Sequence, residues 1–531
     1  MNALSSRHPA PGENWDAIVI GSGIGGLAVA GLLSAHAAKR VLVLERHAVA
    51  GGFTHVFHRR GYEWDVGLHY VGEVDGPGGL ARRAFDALTE GRLEWAPLPE
   101  VYDRAIIGGS PFDFVRGLEP FRTRLKGYFP RETDAIDRYL AAVIAARKAS
   151  VPFFAAKSLP PPLAFLLGGV LRRGFLRWSD CTTAEVLDGL TRNPELKGVL
   201  LAQWGDYGLP PAQSSFAIHA MIASHYLQGA SYPVGGAGRL AEAIAPVIER
   251  SGGRIVLNAE VTEILQEGGR AVGVRTRDGA EFRAPLVVSD AGARTTYERL
   301  LPPSSPGRQA ALRELEGTPP STGHLCLYVG VKHTAAELGI GGSNLWIHPG
   351  FDHDANLRRY EADRREPFPF AYLSFPSAKD PDFARRHPGR ATVEVIAPIA
   401  FQAFAPWQHE PWRRRAPDYD ALKREFARRL QDELVRQVPA LAGKIDYAEL
   451  STPLSTRHFM NHAAGEMYGL AATPGRFRLR CCRPHTPVRN LFLTGQDVAT
   501  LGIVGALAGG ILTASAILRR NLTSSPAARR I

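Results

Sequence analysis

Short apolar runs and a segment with helical spacing alternate near the start of the chain. Residues 17–20 and 41–44 are continuously apolar, which is typical of short strands buried on both faces. Between them, apolar and small residues recur from Ile24 to Leu32 with the spacing of a buried helix. This order predicts a strand, a helix and a second strand, the unit from which parallel sheets are built.

The middle of the chain changes from helical to strand-like patterns. Residues 75–227 are mainly helical and irregular in pattern, with helices predicted at 79–88, 133–149 and 183–191. A helix at 239–250 precedes strand-like runs at 254–258, 261–266, 271–277 and 281–289. Glycine-containing turns join these runs, so we expect a β-meander whose last strand returns to the first sheet.

The C-terminal part ends in an uncharged segment. Before it, residues 300–484 are rich in aromatic residues and proline, with strands predicted at 325–331 and 391–396 and an amphipathic helix at 418–437. A strand at 490–493 then leads into 500–518, whose 19 residues are marginal for a membrane span. Because this segment directly follows a strand and a turn, we predict a buried helix aimed at a cofactor.

The first predicted strand ends in a glycine-rich turn. Gly21, Gly23 and Gly26 stand as G-x-G-x-x-G, after the strand and at the start of the helix. In a dinucleotide site the first glycine permits the turn, the second admits the pyrophosphate and the third allows close helix packing. The helix N-terminus, with Ile24 and Gly25, offers free N–H groups and a positive dipole end to phosphates. This context predicts a dinucleotide site.

An acid and a second glycine loop extend the predicted cofactor site. Glu45 ends the second strand, where its carboxylate can accept hydrogen bonds from ribose hydroxyls. The paired glycines at 51–52 follow, and they let the backbone pass close to a bound cofactor. We assign to this part of the site Glu45, Arg46, Gly52, Phe53, Thr54 and His69.

The dinucleotide-binding domain is predicted to be discontinuous. It comprises residues 15–75, 230–299 and 485–520, and an inserted substrate or lid domain comprises 76–229 and 300–484. Residues 1–14 are expected to be a disordered lead and 521–531 a tail. The expected fold class is α/β, with an α+β character over the whole chain.

Composition narrows the function classes. With 531 residues the chain exceeds a single core, and 45% apolar and 22% charged residues are ordinary for a globular protein. The net charge is +11, but no nucleic-acid module or lysine-rich arm is visible, so no nucleic-acid partner is expected. The basic bias is either plain composition or a surface suited to anionic lipid head groups.

Cysteine usage and the N-terminus bear on the compartment. The 4 cysteines are too few and too poorly spaced for a disulfide framework or a metal site, which indicates a reducing compartment. The first residues lack the apolar segment of a secretory signal. We therefore expect a cytoplasmic protein, with peripheral contact with the inner face of a membrane as an open alternative.

Residues 151–178 are open to two interpretations. They combine apolar and aromatic residues with Arg172, Arg173 and Arg177, and their apolar core at 163–171 is too short to cross a bilayer. One interpretation is a patch that dips into a membrane or forms the mouth of a lipid tunnel. The other is a core helix with a basic end.

Several longer sequence strings stand in a fixed order along the chain: GGFTH at 51–55, EWDVGLHYVG at 63–72, YGLPP at 207–211, YPVGG at 232–236, FPSAKDP at 375–381, ELSTPL at 449–454 and LTGQD at 493–497. Through these strings the chain resembles the flavoprotein family of phytoene desaturases, carotenoid isomerases and retinol saturases, most closely the retinol-saturase branch. The resemblance extends from about Asp16 to Leu518.

The resemblance implies a Rossmann-type FAD-binding domain of the amine-oxidase and phytoene-desaturase kind, with non-covalent FAD and an apolar substrate beneath the inserted segments. By position, Val261 matches the residue whose backbone meets the adenine, and Gly495 and Asp497 lie in the turn that binds the ribityl or pyrophosphate region. The helix start matches the segment that points at the flavin N1–O2 edge, through Gly502, Val504, Gly505 and Ala506.

The implied activity is hydride transfer between flavin N5 and a carbon of an apolar isoprenoid or polyene. Candidates for the accompanying proton are His69, Tyr70, Tyr207 and Tyr468, although flavin position and a shaped tunnel could suffice without them. No second strand with a G-x-G-x-x-G turn is visible, so electrons would pass through transient NAD(P)H, a quinone, a small carrier or oxygen. Saturation, desaturation and isomerisation all stay open, as does the oligomeric state.

Two rival functions share this cofactor architecture. An amine oxidase would favour an aromatic cage and sometimes a cysteinyl flavin, for which Cys481 or Cys482 is a conceivable partner. Rab escort and GDP-dissociation-inhibitor proteins resemble the fold but bind prenylated partners without redox chemistry. The intact glycine turn, Glu45 and the TGQD sequence at 494–497 argue against this non-enzymatic alternative.

Overall fold

A computed structural model describes residues 4–5, 13–76 and 78–522 of the chain. The strands are β1 (Leu4–Ser5), β2 (Ala17–Ile20), β3 (Val41–Leu44), β4 (Val56–Arg59), β5 (Tyr62–Asp65), β6 (Val71–Gly72), β7 (Trp95–Pro97), β8 (Val101–Ile107), β9 (Ser110–Val115), β10 (Ala230–Pro233), β11 (Arg254–Val256), β12 (Val261–Glu267), β13 (Arg270–Thr276), β14 (Glu281–Arg283), β15 (Val287–Ser289), β16 (Gly323–Val331), β17 (Asn344–His348), β18 (Ala371–Ser374), β19 (Ala391–Ile399), β20 (Ile445–Ser451) and β21 (Leu491–Leu493).

The helices, in chain order, are α1 (Ile24–Ala37), α2 (Leu80–Thr89), α3 (Leu118–Tyr128), α4 (Thr133–Lys157), α5 (Pro161–Ser179), α6 (Thr183–Asp188), α7 (Pro194–Leu200), α8 (Phe216–Tyr226), α9 (Arg239–Arg250), α10 (Ala293–Thr295), α11 (Arg308–Glu316), α12 (His353–Ala362), α13 (Pro376–Lys379), α14 (Phe383–Arg386), α15 (Pro417–Gln437), α16 (Pro453–Met460) and α17 (Gly502–Leu518).

One sheet is parallel, and its strands lie in the order β1-β11-β3-β2-β15-β21. Its central strands are buried on both faces, as their continuous apolar runs predict. Val19 and Val43 pack into the core that contains α1, whereas Ile18 and Leu42 pack on the side of the meander β12-β13-β14. Strands from four separate parts of the chain therefore build one sheet, and the α/β fold class is confirmed.

A second sheet, in the order β20-β16-β19-β18-β17-β8-β9, is antiparallel except between β17 and β8. It joins strands from both predicted insertions, and the amphipathic helix α15 covers it with Phe426, Leu430 and Leu434. Because segments far apart in sequence share this sheet, the insertions form one structural layer. The domain boundaries themselves stay a prediction.

Several elements differ from the sequence-based expectation. Helix α4 continues beyond 149 to Lys157 through Pro152, because the burial of Phe153 and Ala156 offsets the one backbone hydrogen bond that proline removes. The run expected at 281–289 is two strands in two different sheets, and the run at 254–258, expected in the meander, instead forms β11 of the parallel sheet. Leu4–Ser5 pairs with β11, within a lead expected to be disordered; most of that lead lies outside the described residues.

The uncharged segment at the C-terminal end forms α17, a core helix as predicted. Ten of its residues are buried, and Gly510 lies so close to α1 that an added Cβ would sit 2.5 Å from Ala28 Cβ. Among the described residues, α4 alone is long and apolar enough to cross a membrane by length and composition. In the structure α4 packs instead against α5 and α8.

Candidate cofactor and substrate site

A cavity of about 720 Å³ begins at the carboxyl ends of the parallel strands and extends into the inserted layer. Its wall includes Ile20 and Leu44, which end β2 and β3, and Asp290 and Thr494, which follow β15 and β21. Ligands of open parallel sheets bind at this edge, because the strand order there opens a crevice between the loops. The cavity is therefore the candidate site.

The glycine turn delivers the N-terminus of α1 to the cavity. Gly21 has a φ of +94°, and the helix begins at Ile24 after Gly23, which provides no side-chain cap. A Cβ on Gly26 would lie 2.3 Å from Gly21 O, so only glycine allows this approach. Gly21, Gly23, Ile24 and Gly25 line the cavity; Gly26 lies behind them and acts through packing.

Glu45 is held rigidly at the end of β3. Its Oε2 accepts hydrogen bonds from Ser22 N–H at 2.9 Å and from Ser22 Oγ at 2.7 Å, and its Oε1 accepts from His47 N–H at 2.7 Å. Ser22, which sequence analysis missed, ties the acid to the glycine turn. Arg46 follows in the wall and donates to the carbonyls of His458 and Phe459.

The second glycine loop packs directly on the first. Gly51 N–H donates to Ser22 O at 3.1 Å, and a Cβ on Gly52 would come 3.1 Å from Gly23 Cα. Thr54 Oγ closes the loop by donating to Gly51 O at 2.8 Å. Gly52, Phe53 and Thr54 all line the cavity, as does Val261 at the start of β12.

A second helix N-terminus reaches the same cavity. Helix α17 follows Leu501, which provides no side-chain cap, and its first turn lines the wall through Gly502, Val504, Gly505 and Ala506. Asp497 lies in the preceding turn, where it accepts hydrogen bonds from Ala293 N–H at 2.8 Å and Leu470 N–H at 3.1 Å. Gly495 does not line the cavity; a Cβ there would collide with Asp290.

Asp290 is a further group that sequence analysis missed. Its carboxyl is wedged among Gly23, Gly25 and Gly495, and its exposed part faces the cavity. Burial raises the pKa of Asp290 to about 8, against the opposing effect of the Gly26 N–H. The group is therefore protonated at neutral pH and places no negative charge beside the glycine turn.

These residues fit FAD. Two helix N-termini whose N-cap residues provide no side-chain cap face the site of a pyrophosphate, with no acidic residue in either first turn; of their N–H groups, that of Gly26 is taken by Asp290. A fixed carboxylate lies at the end of the second strand, at the position of a ribose-binding acid. The remaining length of the cavity is available to a flavin ring and a substrate.

Beyond the cofactor part, the cavity wall becomes apolar and aromatic. Its lining there includes Val71, Phe154, Ile218, Met221, Ile222, Tyr226, Trp346, Phe370 and Tyr372. Val151, also in the wall, is 61% exposed and marks an opening to the protein surface beside α4. Such a chamber suits an elongated apolar molecule.

The four proton-transfer candidates occupy different positions. His69, Tyr70 and Tyr468 line the cavity, whereas Tyr207 does not. The Tyr207 hydroxyl lies in the core, in hydrogen-bond contact with His219 Nδ1 at 3.2 Å. The Tyr70 hydroxyl contacts the carboxyls of Asp103 and Asp206 at 3.0 and 3.1 Å. Burial raises the pKa of Tyr70 and Tyr468, so both phenols are protonated at neutral pH.

The cysteine pair lies away from the cavity. Cys481 and Cys482 are buried with their Sγ atoms 3.9 Å apart, and neither lines the wall. The arrangement gives no support to a cysteinyl flavin.

Comparisons with known proteins agree with this geometry. The sequence profile of a family described as flavin-containing amine oxidoreductase matches residues 24–518. All-trans-retinol 13,14-reductase of Rattus norvegicus is 37% identical over 531 aligned residues, covering 96% of this chain and 87% of the relative. A chloroplastic prolycopene isomerase of Arabidopsis thaliana is 28% identical, covering 85% of this chain and 73% of the relative.

A solved structure shares the fold. Cyclohexylamine oxidase from Brevibacterium oxydans superimposes with a TM-score of 0.61 at 17% identity, covering 96% of this chain and 99% of that chain. At this identity the likeness concerns the fold alone.

Proposed function

The chain belongs to the flavin-containing amine oxidoreductase family, and we propose that it is an FAD-dependent oxidoreductase that saturates a carbon-carbon double bond of an apolar polyene. The observation that carries the proposal is one continuous cavity, which joins the glycine turn to an aromatic and apolar chamber. The name of the rat relative supports reduction as the direction and a retinoid-like isoprenoid as the substrate class.

The residues that would hold FAD follow from the geometry of the wall. The first turn of α1 and Gly52 would face the pyrophosphate, Glu45 the adenosine ribose, and the first turn of α17 the flavin. FAD, when bound, supplies a site that accepts or donates a hydride. A positive helix end stabilises the negative charge of a reduced flavin.

The chain's own side chains would orient the polyene and exclude water. Trp346 forms aromatic contacts with Phe370 and with Tyr372 in the chamber, and a flat conjugated chain can pack against such rings. Tyr70 is fixed by its two carboxyl contacts, so it shapes the wall rather than donating a free proton. Proton transfer is then left to His69 or Tyr468.

Electrons would arrive through a transient partner, either NAD(P)H or a quinone. Within the described part of the chain, the glycine cluster at 235–238 follows β10, which belongs to an antiparallel sheet apart from the parallel one. That cluster does not build a second strand-turn-helix-strand unit for a resident nicotinamide.

We further propose that the protein contacts the cytoplasmic face of a membrane through α5. One face of this helix exposes Leu163, Leu166, Leu167 and Val170, with Val170 81% exposed. The same face continues into two exposed arginines, Arg173 and Arg177. An apolar stripe beside cations suits an anionic lipid surface, and the nearby opening at Val151 would admit a water-insoluble substrate.

Product analysis tests the enzymatic proposal against its rivals. Purified protein with reduced FAD is incubated anaerobically with all-trans-retinol or a cis-carotene, and protein with oxidised FAD is incubated with cyclohexylamine. We expect a retinol product heavier by two hydrogens. An isomerised carotene of unchanged mass would favour an isomerase, amine-dependent flavin reduction would favour an amine oxidase, and purified protein without flavin would favour a lipid-binding protein.

A further inference from the structure

A cluster of buried ionisable side chains lies behind His69, on the side away from the cavity. Glu394 of β19 is fully buried, and Lys379 of α13 and Asp65 of β5 are 6% and 2% exposed. None of these three lines the cavity, whereas His69 does. His69 is therefore positioned between the substrate chamber and an internal group of charges.

His69 and Glu394 are in direct contact. His69 Nδ1 lies 2.9 Å from Glu394 Oε2, close enough for a hydrogen bond although the two groups are not aligned as one. Apart from this contact and the backbone N–H of Asp65, which lowers the pKa of Glu394, neither His69 Nδ1 nor the two Glu394 oxygens has a hydrogen-bond partner in the described part of the chain. Catalytic hydrogen bonds are often poorly aligned without substrate and tighten when it binds.

Lys379 fixes the backbone on which His69 sits. Its Nζ donates to His69 O at 2.9 Å and to Ser374 Oγ at 2.7 Å. The β19 register places Glu394 opposite Ser374, so the ammonium and the carboxyl share one small compartment. This arrangement holds the histidine, the acid and the cation in fixed relative positions.

The charge state of the pair follows from burial. Burial raises the pKa of Glu394 to about 8, and the positive charge of Lys379 opposes this rise. Burial also lowers the pKa of His69 to about 3, and the same lysine adds to the effect. At neutral pH the pair therefore consists of a protonated acid and a neutral imidazole, which together hold one transferable proton.

Two neighbours of the pair carry charge at neutral pH, Lys379 and Asp65. Burial lowers the pKa of Lys379 to about 8, so its ammonium persists at neutral pH. Burial raises the pKa of Asp65 to about 7, and Tyr232 donates a hydrogen bond to it. The remaining neighbours are kept neutral by burial: His324, Cys326, Tyr328, Tyr232 and Tyr372.

We propose that Glu394 is the proton reservoir of the reduction and that His69 passes its proton to the substrate. This inference rests on the proposed function. A hydride, supplied by reduced flavin when bound, adds to one carbon of the double bond, and His69 Nε2–H gives its proton to the adjacent carbon. His69 Nδ1 takes the Glu394 carboxyl proton in the same step. The products are a saturated bond, oxidised flavin, an imidazole that carries its proton on Nδ1 and a Glu394 carboxylate. His69 Nε2 then takes a proton from solvent in the cavity while Nδ1 returns its proton to Glu394, which restores the starting state.

The test compares Glu394→Gln with Glu449→Gln, a matched control. Glu449 of β20 pairs with Tyr328 from the side opposite to Glu394, but its side chain is 41% exposed. We expect Glu394→Gln to keep its FAD content and to slow flavin reoxidation by all-trans-retinol about 100-fold or more, the usual contribution of a general acid. In wild type we expect this rate to fall as pH rises through about 8. In Glu394→Gln the rate should not fall over the same pH range.

An infrared spectrum provides a readout that does not depend on activity. At neutral pH the difference spectrum between wild type and Glu394→Gln should show the loss of one carboxylic acid C=O band, while the absorption of other protonated carboxyls such as Asp290 remains; Glu449→Gln should show no such loss. His69→Gln should retain the band yet lose the reoxidation rate, which also keeps the inference testable if Glu394→Gln does not fold. A wild-type rate and pH profile in Glu394→Gln, or no loss of the band, would overturn the inference.

The two proposals fail in different ways. If wild-type reduced flavin is not reoxidised by all-trans-retinol, the proposed function fails, whatever the infrared band shows. If the wild type reacts and Glu394→Gln reacts equally fast, Glu394 is not the proton reservoir, while the proposed function stands.

Discussion

At the scale of single residues, the site depends on groups whose charge is set by burial. Asp290 illustrates this, because a carboxylate beside the glycine turn would repel a pyrophosphate, whereas a protonated acid does not. Its pKa of about 8 lies just above neutral pH. FAD affinity should therefore contain a proton-linked component.

Asp290→Asn tests this component. We expect wild-type FAD affinity to fall as pH rises through about 8, because the carboxylate appears in the phosphate site. The amide has nearly the same shape but no charge, so the variant should hold FAD equally well on both sides of that pH. Flavin fluorescence during equilibrium dialysis measures the affinity; a parallel decline in both proteins would contradict the explanation.

A substitution at Gly26 tests whether FAD binding needs the close packing of the glycine turn. In Gly26→Ala the added Cβ would lie 2.3 Å from Gly21 O, a backbone atom that cannot move without opening the turn. We expect the purified variant to contain little FAD. Gly127→Ala in α3, where nothing lies within 4 Å, is the matched control and should keep its FAD. Full FAD occupancy in Gly26→Ala would show that the turn is more tolerant than its packing implies.

The sequence predicted part of the site at this scale. The glycine turn, Glu45 and the second loop are recognisable because neighbours in sequence build them. Asp290 and Ser22 act through contacts made only in the folded chain. One feature of the sequence pointed to Glu394. It is the only acid in the mainly apolar segment 391–396, and a buried acid needs a partner.

At the scale of elements, helices and strands with strong periodicity were predictable, and α9 and the meander have the expected positions. The pairing of β8 with β17 could not be predicted from the sequence, because it joins segments more than 200 residues apart. The run at 281–289 also illustrates the limit: Pro285 lies between its two halves, which belong to different sheets.

Helix α5 is the element whose sequence left two interpretations open, and exposure favours the membrane-facing one. We expect wild type to bind phosphatidylglycerol vesicles more tightly than phosphatidylcholine vesicles. Replacing both Arg173 and Arg177 by Gln should weaken binding to the anionic vesicles about 30-fold, from about 1 kcal/mol for each arginine. Vesicle flotation measures the bound fraction.

Two further variants separate charge from apolar contact. Leu166→Gln with Val170→Gln should weaken binding to both kinds of vesicle, because the apolar contact does not depend on lipid charge. Arg424→Gln with Arg428→Gln on α15 removes the same charge from another exposed helix and should bind as wild type does. Equal losses in the two double-arginine variants would reduce the effect of Arg173 and Arg177 to net charge.

At the scale of the whole molecule, the parallel sheet and the inserted layer enclose one cavity between them. The sheet contributes helix ends and a fixed acid, and the inserted layer contributes aromatic rings and an opening beside α4. The central claim is that these two halves bring FAD and an apolar polyene together for reduction.

Anaerobic flavin reoxidation tests this claim most directly. The protein is loaded with FAD, reduced without oxygen and mixed with all-trans-retinol, while the yellow absorption of oxidised flavin is followed. We expect the absorption to return in proportion to the retinol added, with a product that has gained two hydrogens. Flavin that stays reduced in the presence of all-trans-retinol, yet reoxidises when oxygen or a quinone is admitted, would contradict it.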